Sequence, residues 1–271
     1  MEENLLLPEE NKIPDDEILL PAEEILTCPY CHAPIKNDAH FCPSCGKNLK
    51  FIATENNPFK TTALRSVLIF YGILFGALMF IHFNDSFSDY HNLMWVEIAL
   101  AAIVFLFAAL NWKEIFPLLS FRKIKLWRIL LVMLFSSAAS LLVSKLIGML
   151  NLSLNGIEAH YYYSYSTFYN PGLVMIYSIA LYPAIIEELA FRGFVFNHMK
   201  KLSGSTATII FSSFLFSVLH LSFLSFFWLL PFAIFQGYMR NRYNTLWYGV
   251  ASHFAFNFTV VVSEIIHFHL M

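Results

Sequence analysis

Charge is what this chain has least of. Only 13% of its 271 residues are Asp, Glu, Lys or Arg, while 58% are hydrophobic and 17% aromatic; soluble domains carry about a quarter charged residues. Together with a mean hydropathy of +0.58, this is more apolar surface than a single water-soluble core can hide, so composition points to a polytopic membrane protein. A basic stripe of any length is missing, which excludes nucleic acid as a partner. The amino terminus, MEENLLLPEENKIPDDEILLPAEE, lacks both the basic start and the continuous apolar run of a cleavable signal peptide. The first apolar span, beginning near Arg65, is expected to serve as its own insertion signal. Cysteine is absent from the apolar part: all four lie between Cys28 and Cys45. The net charge of −2 says less than its distribution, because most acids fall in roughly the first 60 residues.

The chain divides by composition. Residues 1–24 read as an acidic, disordered tail, 25–50 as a compact cysteine module, 51–63 as a polar linker, and 64–271 as a membrane bundle. Apolar runs near 65–83, 93–111, 126–149, 172–199, 205–222, 223–239 and 245–267 approach the ~20 helical residues that cross a hydrocarbon core of about 30 Å. The fifth and sixth nearly touch, which demands a tight turn around His220–Ser225. The fold class expected is an all-α polytopic membrane protein, a bundle of about seven or eight transmembrane helices preceded by a small zinc-ribbon. Lys and Arg cluster before the first run, between the second and third, and after the fourth and sixth. The connections 84–92 and 150–171 and the C-terminal tail contain none, and only Lys145 breaks the alternation. By the positive-inside rule the N-terminus and the cysteine module are expected to be cytoplasmic; the expected location is a prokaryotic cell membrane, with the chain as an integral protein. The segment YYYSYSTFYNP in the 151–170 loop suits an interfacial aromatic belt. Pro183 and Pro231 lie inside runs, and a kink at Pro183 is expected to open space for water one turn before a pair of glutamates.

The cysteine pattern is Cys28-Pro-Tyr-Cys31, then Cys42-Pro-Ser-Cys45-Gly-Lys. Two Cys-x-x-Cys knuckles supply the four thiolates that a tetrahedral Zn²⁺ takes, and Gly46 suits a position of positive φ. A cytoplasmic placement disfavours disulfides, and no βαβ context supports a redox pair. Cys28, Cys31, Cys42 and Cys45 are therefore expected to hold a structural zinc, with His32 and His40 as bystanders. The module is too small to bury a core of its own, so the metal is expected to fold it. It resembles the short zinc-ribbon at the N-terminus of many prokaryotic membrane proteins, which implies a cytoplasmic partner or substrate tail.

Ionisable groups inside apolar runs are functional suspects, each costing roughly 2.5–3.5 kcal/mol on insertion scales. Glu187 and Glu188 sit in one run with Arg192 one turn later, His220 follows in the next, and His253 and Asn257 lie in the last. Adjacent residues on a helix point about 100° apart, so the two glutamates cannot share one task. Glu188 and Arg192, at i and i+4, suit an ion pair. Glu187 is left without a local partner, as suits a general base acting on water. His253 and Asn257 share one helix face and suit either donation to an oxyanion or, with Glu187 and His220, a metal shell. A single buried His, or a lone Glu–Arg tie, is ordinarily a packing feature; five such residues on three runs are harder to explain that way. Glu97 is expected to pair across helices, and Glu264 with His267 and His269 to be interfacial.

Glu187-Glu188-Leu-Ala-Phe-Arg192, Phe216-x-x-x-His220 and His253-x-x-x-Asn257, in that order, resemble the CAAX protease and bacteriocin-processing (Abi) family of intramembrane endopeptidases. The similarity covers roughly residues 170–260. It implies an eight-helix-like α bundle open toward the cytoplasm, which hydrolyses a peptide bond in a membrane-associated substrate: a prenylated protein, a leader or a signalling peptide. It also implies that Glu187 and His220 activate water while His253 and Asn257 stabilise the oxyanion. Whether a catalytic metal takes part stays open at this stage. The rival reading is a non-catalytic membrane scaffold or immunity protein keeping the same fold. A transporter reading lacks an inverted repeat.

Overall fold

The computed structural model describes residues 26–28, 30–35, 41–47, 58–84, 90–155 and 162–270. The acidic tail, His40 and most of the linker lie outside the described residues. Two compact units divide at Asn57–Pro58.

In the first unit, β1 (Leu26–Thr27) pairs antiparallel with β2 (Pro34–Ile35), Leu26 opposite Ile35 and Thr27 opposite Pro34. The two knuckles are built alike. The His32 N–H donates to the Cys28 carbonyl at 2.7 Å and the Gly46 N–H to the Cys42 carbonyl at 2.9 Å. His32 and Gly46, each four residues after a leading cysteine, both take positive φ, 56° and 71°. Glycine adopts that conformation without strain and histidine does not. The equivalence of His32 with Gly46 is not evident from the residue types.

The second unit is all-helical. Its main helices are α1 (Pro58–His82), α2 (Tyr90–Leu110), α3 (Leu126–Asn155), α4 (Pro171–Leu202), α5 (Ser205–Val218), α6 (Phe223–Tyr243) and α7 (Trp247–Leu270). A helix thus forms at each of the seven apolar runs, as an all-α polytopic protein requires. Four segments among the described residues are long and apolar enough to cross a membrane: Thr62–His82, Leu126–Ser153, Pro171–Leu202 and Trp247–His269. Met94–Leu110 with Trp112–Leu119, bent by 88°, makes a fifth at most. That is fewer than the seven or eight expected. At 1.5 Å per residue α5 spans only about 21 Å, because the helix stops at Val218. His220 follows it in a turn, with Leu221 at φ 50°. The tight connection falls where the near-contact of the fifth and sixth runs places it; Ser222 then caps α6 by accepting the Ser225 N–H.

Polar contacts between small side chains hold α7 against α3: the Ser136 and Ser252 hydroxyls are 2.7 Å apart, and Ser140 donates to the Phe256 carbonyl at 2.7 Å. Small residues let membrane helices approach closely. Phe70, Phe107 and Phe194 interlock α1, α2 and α4 with ring centroids 4.7–5.4 Å apart. Outward faces carry bare Leu68, Leu134, Leu142 and Phe211, as lipid-facing helices do.

α4 positions the site and is not a regular helix. Two of its stretches, Ile176–Leu181 and Leu189–Val195, widen to i→i+5 bonding, closed by the Tyr182 N–H on the Tyr177 carbonyl and the Phe196 N–H on the Phe191 carbonyl. Widened turns of this kind recur at functional sites. They flank Tyr182–Glu188, which contains Pro183 and the glutamate pair. The expected distortion near Pro183 is thus a pair of widened turns.

Candidate active site

Glu188 is fully buried, and its Oε1 lies 3.1 Å from Arg192 Nη1. Arg192 is buried too. Its Nη2 donates to Gln236 Oε1 at 2.7 Å and to the Ala233 carbonyl at 3.2 Å, and its guanidinium carbon stands 4.4 Å from the Phe216 ring centroid. Two buried charges stay in place only when paired, and α6 adds hydrogen bonds to one arm of the Arg192 guanidinium. Gly249 on α7 makes room for the carboxylate: a Cβ there would lie 2.2 Å from Glu188 Oε2.

His253, one turn after Gly249, stands between the two glutamates. Its Nδ1 is 3.5 Å from Glu188 Oε1 and its Nε2 is 3.8 Å from Glu187 Oε2. Glu187 thus faces an imidazole of another helix, at a distance longer than a hydrogen bond. Its side chain is 31% exposed, whereas that of Glu188 is wholly buried, as their angular separation on α4 requires.

Glu187 and His220 both line a cavity of about 440 Å³ bounded by α1, α2, α4 and the end of α5, with Leu74, Leu100, Val104 and Tyr182 among its walls. His220 lies in the turn beyond α5, not on the helix. Its Nδ1 is 3.1 Å from the Phe216 carbonyl oxygen, which leaves Nε2 as the nitrogen free to act on a ligand. Phe216 also touches Arg192 and stands 6.1 Å from His253, so one ring backs both halves of the site.

Asn257 is placed differently from the rest. Its Nδ2 donates to the Ile179 carbonyl at 2.8 Å, a carbonyl that Pro183, four residues on, has no N–H to meet. Asn257 thus ties α7 to the distorted part of α4. Glu97, on α2, accepts from the Ser178 hydroxyl at 3.3 Å, while its carbonyl accepts from Tyr182 Oη at 2.6 Å. The expected pairing of Glu97 across helices is therefore to a hydroxyl of α4.

Residues 169–259 match the family model for type II CAAX prenyl endopeptidase Rce1-like proteins. Over this span, about a third of the chain, the protein is similar to that family. The span runs from just before α4 into α7 and takes in Glu187, Glu188, Arg192, His220, His253 and Asn257, but not Glu97 or the α1 and α2 walls of the cavity. Residues 27–49 match a zinc-ribbon model. No curated protein and no solved structure matches the chain significantly.

The matched region uses residues that the motifs do not announce. Gln236 is a polar residue deep in the sixth apolar run, and the signal that singled out the histidines applies to it equally. Gly249 sits one turn before His253, on the same face. Arg240 donates to the Arg192 carbonyl at 2.9 Å and to Asn197 Oδ1 at 2.7 Å, so a positive charge assigned to orientation alone also locks the widened turn of α4.

In the ribbon the four Sγ atoms lie within 4.8 Å of one another, Cys28–Cys45 at 3.8 Å and Cys31–Cys42 at 3.6 Å. A tetrahedron with Zn–S near 2.3 Å requires S···S of about 3.8 Å, so the set fits zinc and is far too open for disulfides. Burial raises the Cys42 thiol, but backbone N–H groups of Cys45 and Ser44 outweigh it and bring it down to about 6. A thiolate donor is what such a site needs.

Proposed function

We propose that the chain is an intramembrane endopeptidase that cleaves a membrane-associated peptide, with its N-terminus and ribbon in the cytoplasm. The observation that carries this reading is Glu187: part-exposed in a largely apolar cavity, sharing it with His220 and 3.8 Å from His253. The Rce1-like match supports a protease activity of this class.

In this reading Glu187 takes a proton from a water held against His220, and the water oxygen bonds to the scissile carbonyl carbon. Negative charge moves onto the carbonyl oxygen, where His253 and the second amide hydrogen of Asn257 donate to it. Glu187 then returns its proton to the amide nitrogen as the C–N bond breaks, giving a carboxylate and an amine. Glu188 and Arg192 stay out of the proton traffic and orient His253. The Leu and Val side chains of the cavity accept an apolar portion of the substrate, a prenylated protein, a leader or a signalling peptide. Zinc held by Cys28, Cys31, Cys42 and Cys45 folds the ribbon, and the ribbon recruits a partner or substrate tail.

The test is cleavage of a quenched prenylated reporter peptide by the full chain in detergent. Glu187→Gln should lower the rate about 10²–10⁴-fold, the range for removing a general base, with an unchanged melting temperature because its side chain is part-exposed. Activity equal to the unsubstituted protein would remove Glu187 from the mechanism.

A further inference from the structure

The corner where the chain enters α3 and where α6 turns into α7 carries five cations: Arg122, Lys123, Lys125, Arg128 and Arg242. Among the described residues none of the five has a carboxylate partner; Glu114, on the bent segment after α2, pairs with Lys201. The corner is nevertheless rigidly built. The Leu246 N–H and the Thr245 hydroxyl donate to the Leu118 carbonyl at 3.1 and 3.0 Å, and Trp247 Nε1 donates to the Leu119 carbonyl at 2.8 Å. The Lys125 N–H donates to Tyr248 Oη at 3.0 Å, and Lys123 Nζ to the Asn244 carbonyl at 3.3 Å.

Two guanidiniums converge on one ring of this platform. Arg128 Cζ is 5.0 Å and Arg242 Cζ 5.7 Å from the Tyr243 ring centroid. An aromatic face attracts a cation, and here one ring gathers two guanidiniums that have no carboxylate partner among the described residues. Arginine forks match phosphate oxygens in pairs. The surroundings decide which phosphate. Phe121, Leu126 and Trp127 stand beside the cations 69%, 71% and 57% exposed. Bare aromatic and aliphatic side chains next to Lys and Arg mark the headgroup level of a bilayer.

We propose that this corner is a binding site for the phosphate of an anionic lipid headgroup, with Arg128 and Arg242 as its ligands and Lys123 and Lys125 as its rim. The experiment uses the full chain in neutral detergent, with lipid retention read by native mass spectrometry and stability by thermal unfolding. Phosphatidylglycerol, phosphatidylcholine and inorganic phosphate are the probes. Phosphatidylglycerol should be retained about tenfold over phosphatidylcholine and should raise the melting temperature, since each basic residue near the surface favours anionic lipid severalfold. Added salt should weaken the preference, and the Arg128→Gln, Arg242→Gln double variant should abolish it. Equal retention of the two lipids, or a preference that survives the double substitution, overturns the proposal. An equal stabilisation by inorganic phosphate also overturns it, because the corner would then bind a soluble anion. If the double variant fails to fold, the exposed Lys123→Gln, Lys125→Gln pair gives the same comparison, with a severalfold loss expected and no loss refuting.

Discussion

Gly249→Ala adds one methyl group at the tightest point of the site. The new Cβ would stand 2.2 Å from Glu188 Oε2 and 3.1 Å from its Cδ, where ordinary contact needs about 3.5 Å. Either the carboxylate or α7 must therefore move by roughly 1 Å. The carboxylate has nowhere to go: Glu188 is fully buried, with Arg192 at 3.1 Å on one side and His253 at 3.5 Å on the other. Overpacking of this kind costs about 1–3 kcal/mol, and the higher helix propensity of alanine returns about 1 kcal/mol. Stability should thus fall by no more than about 2 kcal/mol. Activity should fall further, because His253 rides on the same turn and a misplacement of about 1 Å costs on the order of 10²-fold. Gly249 and Glu188 do not line the cavity, so the loss should appear in kcat and leave KM nearly unchanged. Gly76→Ala, on α1 with nothing within 4 Å of the added atom, is the control and should be neutral. A Gly249→Ala protein that cleaves the reporter within twofold of the unsubstituted rate would refute the coupling of Glu188 to His253.

Three more outcomes are expected. Arg192→Met leaves Glu188 buried without its counter-charge and should cost about 3–5 kcal/mol, measured by thermal unfolding; adding Glu188→Gln should recover stability but not cleavage. Asn257→Ala should cost about 1–3 kcal/mol by stranding the Ile179 carbonyl and should lower kcat about 10²–10³-fold if its second hydrogen serves the oxyanion. A stability loss with kcat intact would make the residue a helix tie alone. Cys28→Ser with Cys42→Ser should remove one zinc per chain by elemental analysis while the far-ultraviolet helical signal of the bundle stays constant. Metal that remains bound after this change and disappears with Glu187→Gln or His220→Ala would identify a catalytic ion.

Much of this was legible in the residues because the deciding forces act locally. Apolar runs longer than a helical turn must satisfy their backbone internally in lipid, so each of the seven became a helix. Two Cys-x-x-Cys knuckles close a four-sulfur cluster by their own turns, and Glu188–Arg192 form a pair by spacing alone. What could not be read depends on how one helix sits against another. Nothing in Glu187 names His253 as its neighbour, and nothing in Gly249 shows a carboxylate against its Cα. The wide turns of α4 and the end of α5 at Val218 came from the tertiary arrangement, and the second of these moved His220 off its expected helix. Pro183 was the one local clue to the distortion. The residue that answers it, Asn257, comes from 74 positions later in the sequence, a distance over which no pattern operates.

The adjacent glutamates gain their meaning from this arrangement. A lone carboxylate beside His253 would have to orient the imidazole and exchange protons with water, and the two tasks conflict. An orienting group must keep its charge and position through the cycle, whereas a base must change its protonation at each step. On α4 the two carboxylates diverge, so Glu188 faces Arg192 and Gly249 in a sealed pocket while Glu187 faces the cavity. His253 touches both, one ring nitrogen to each. The wide turn that begins at Leu189 carries Arg192, and Arg240 holds it from behind. The charge opposing Glu188 is thus fixed by α6 and does not depend on what enters the cavity. Substituting Glu187 by Asp should separate the two roles: the shorter side chain withdraws the base by about one methylene while leaving the Glu188–Arg192–Gln236 frame intact. The melting temperature should hold and kcat should drop, whereas Glu188→Asp should lower both.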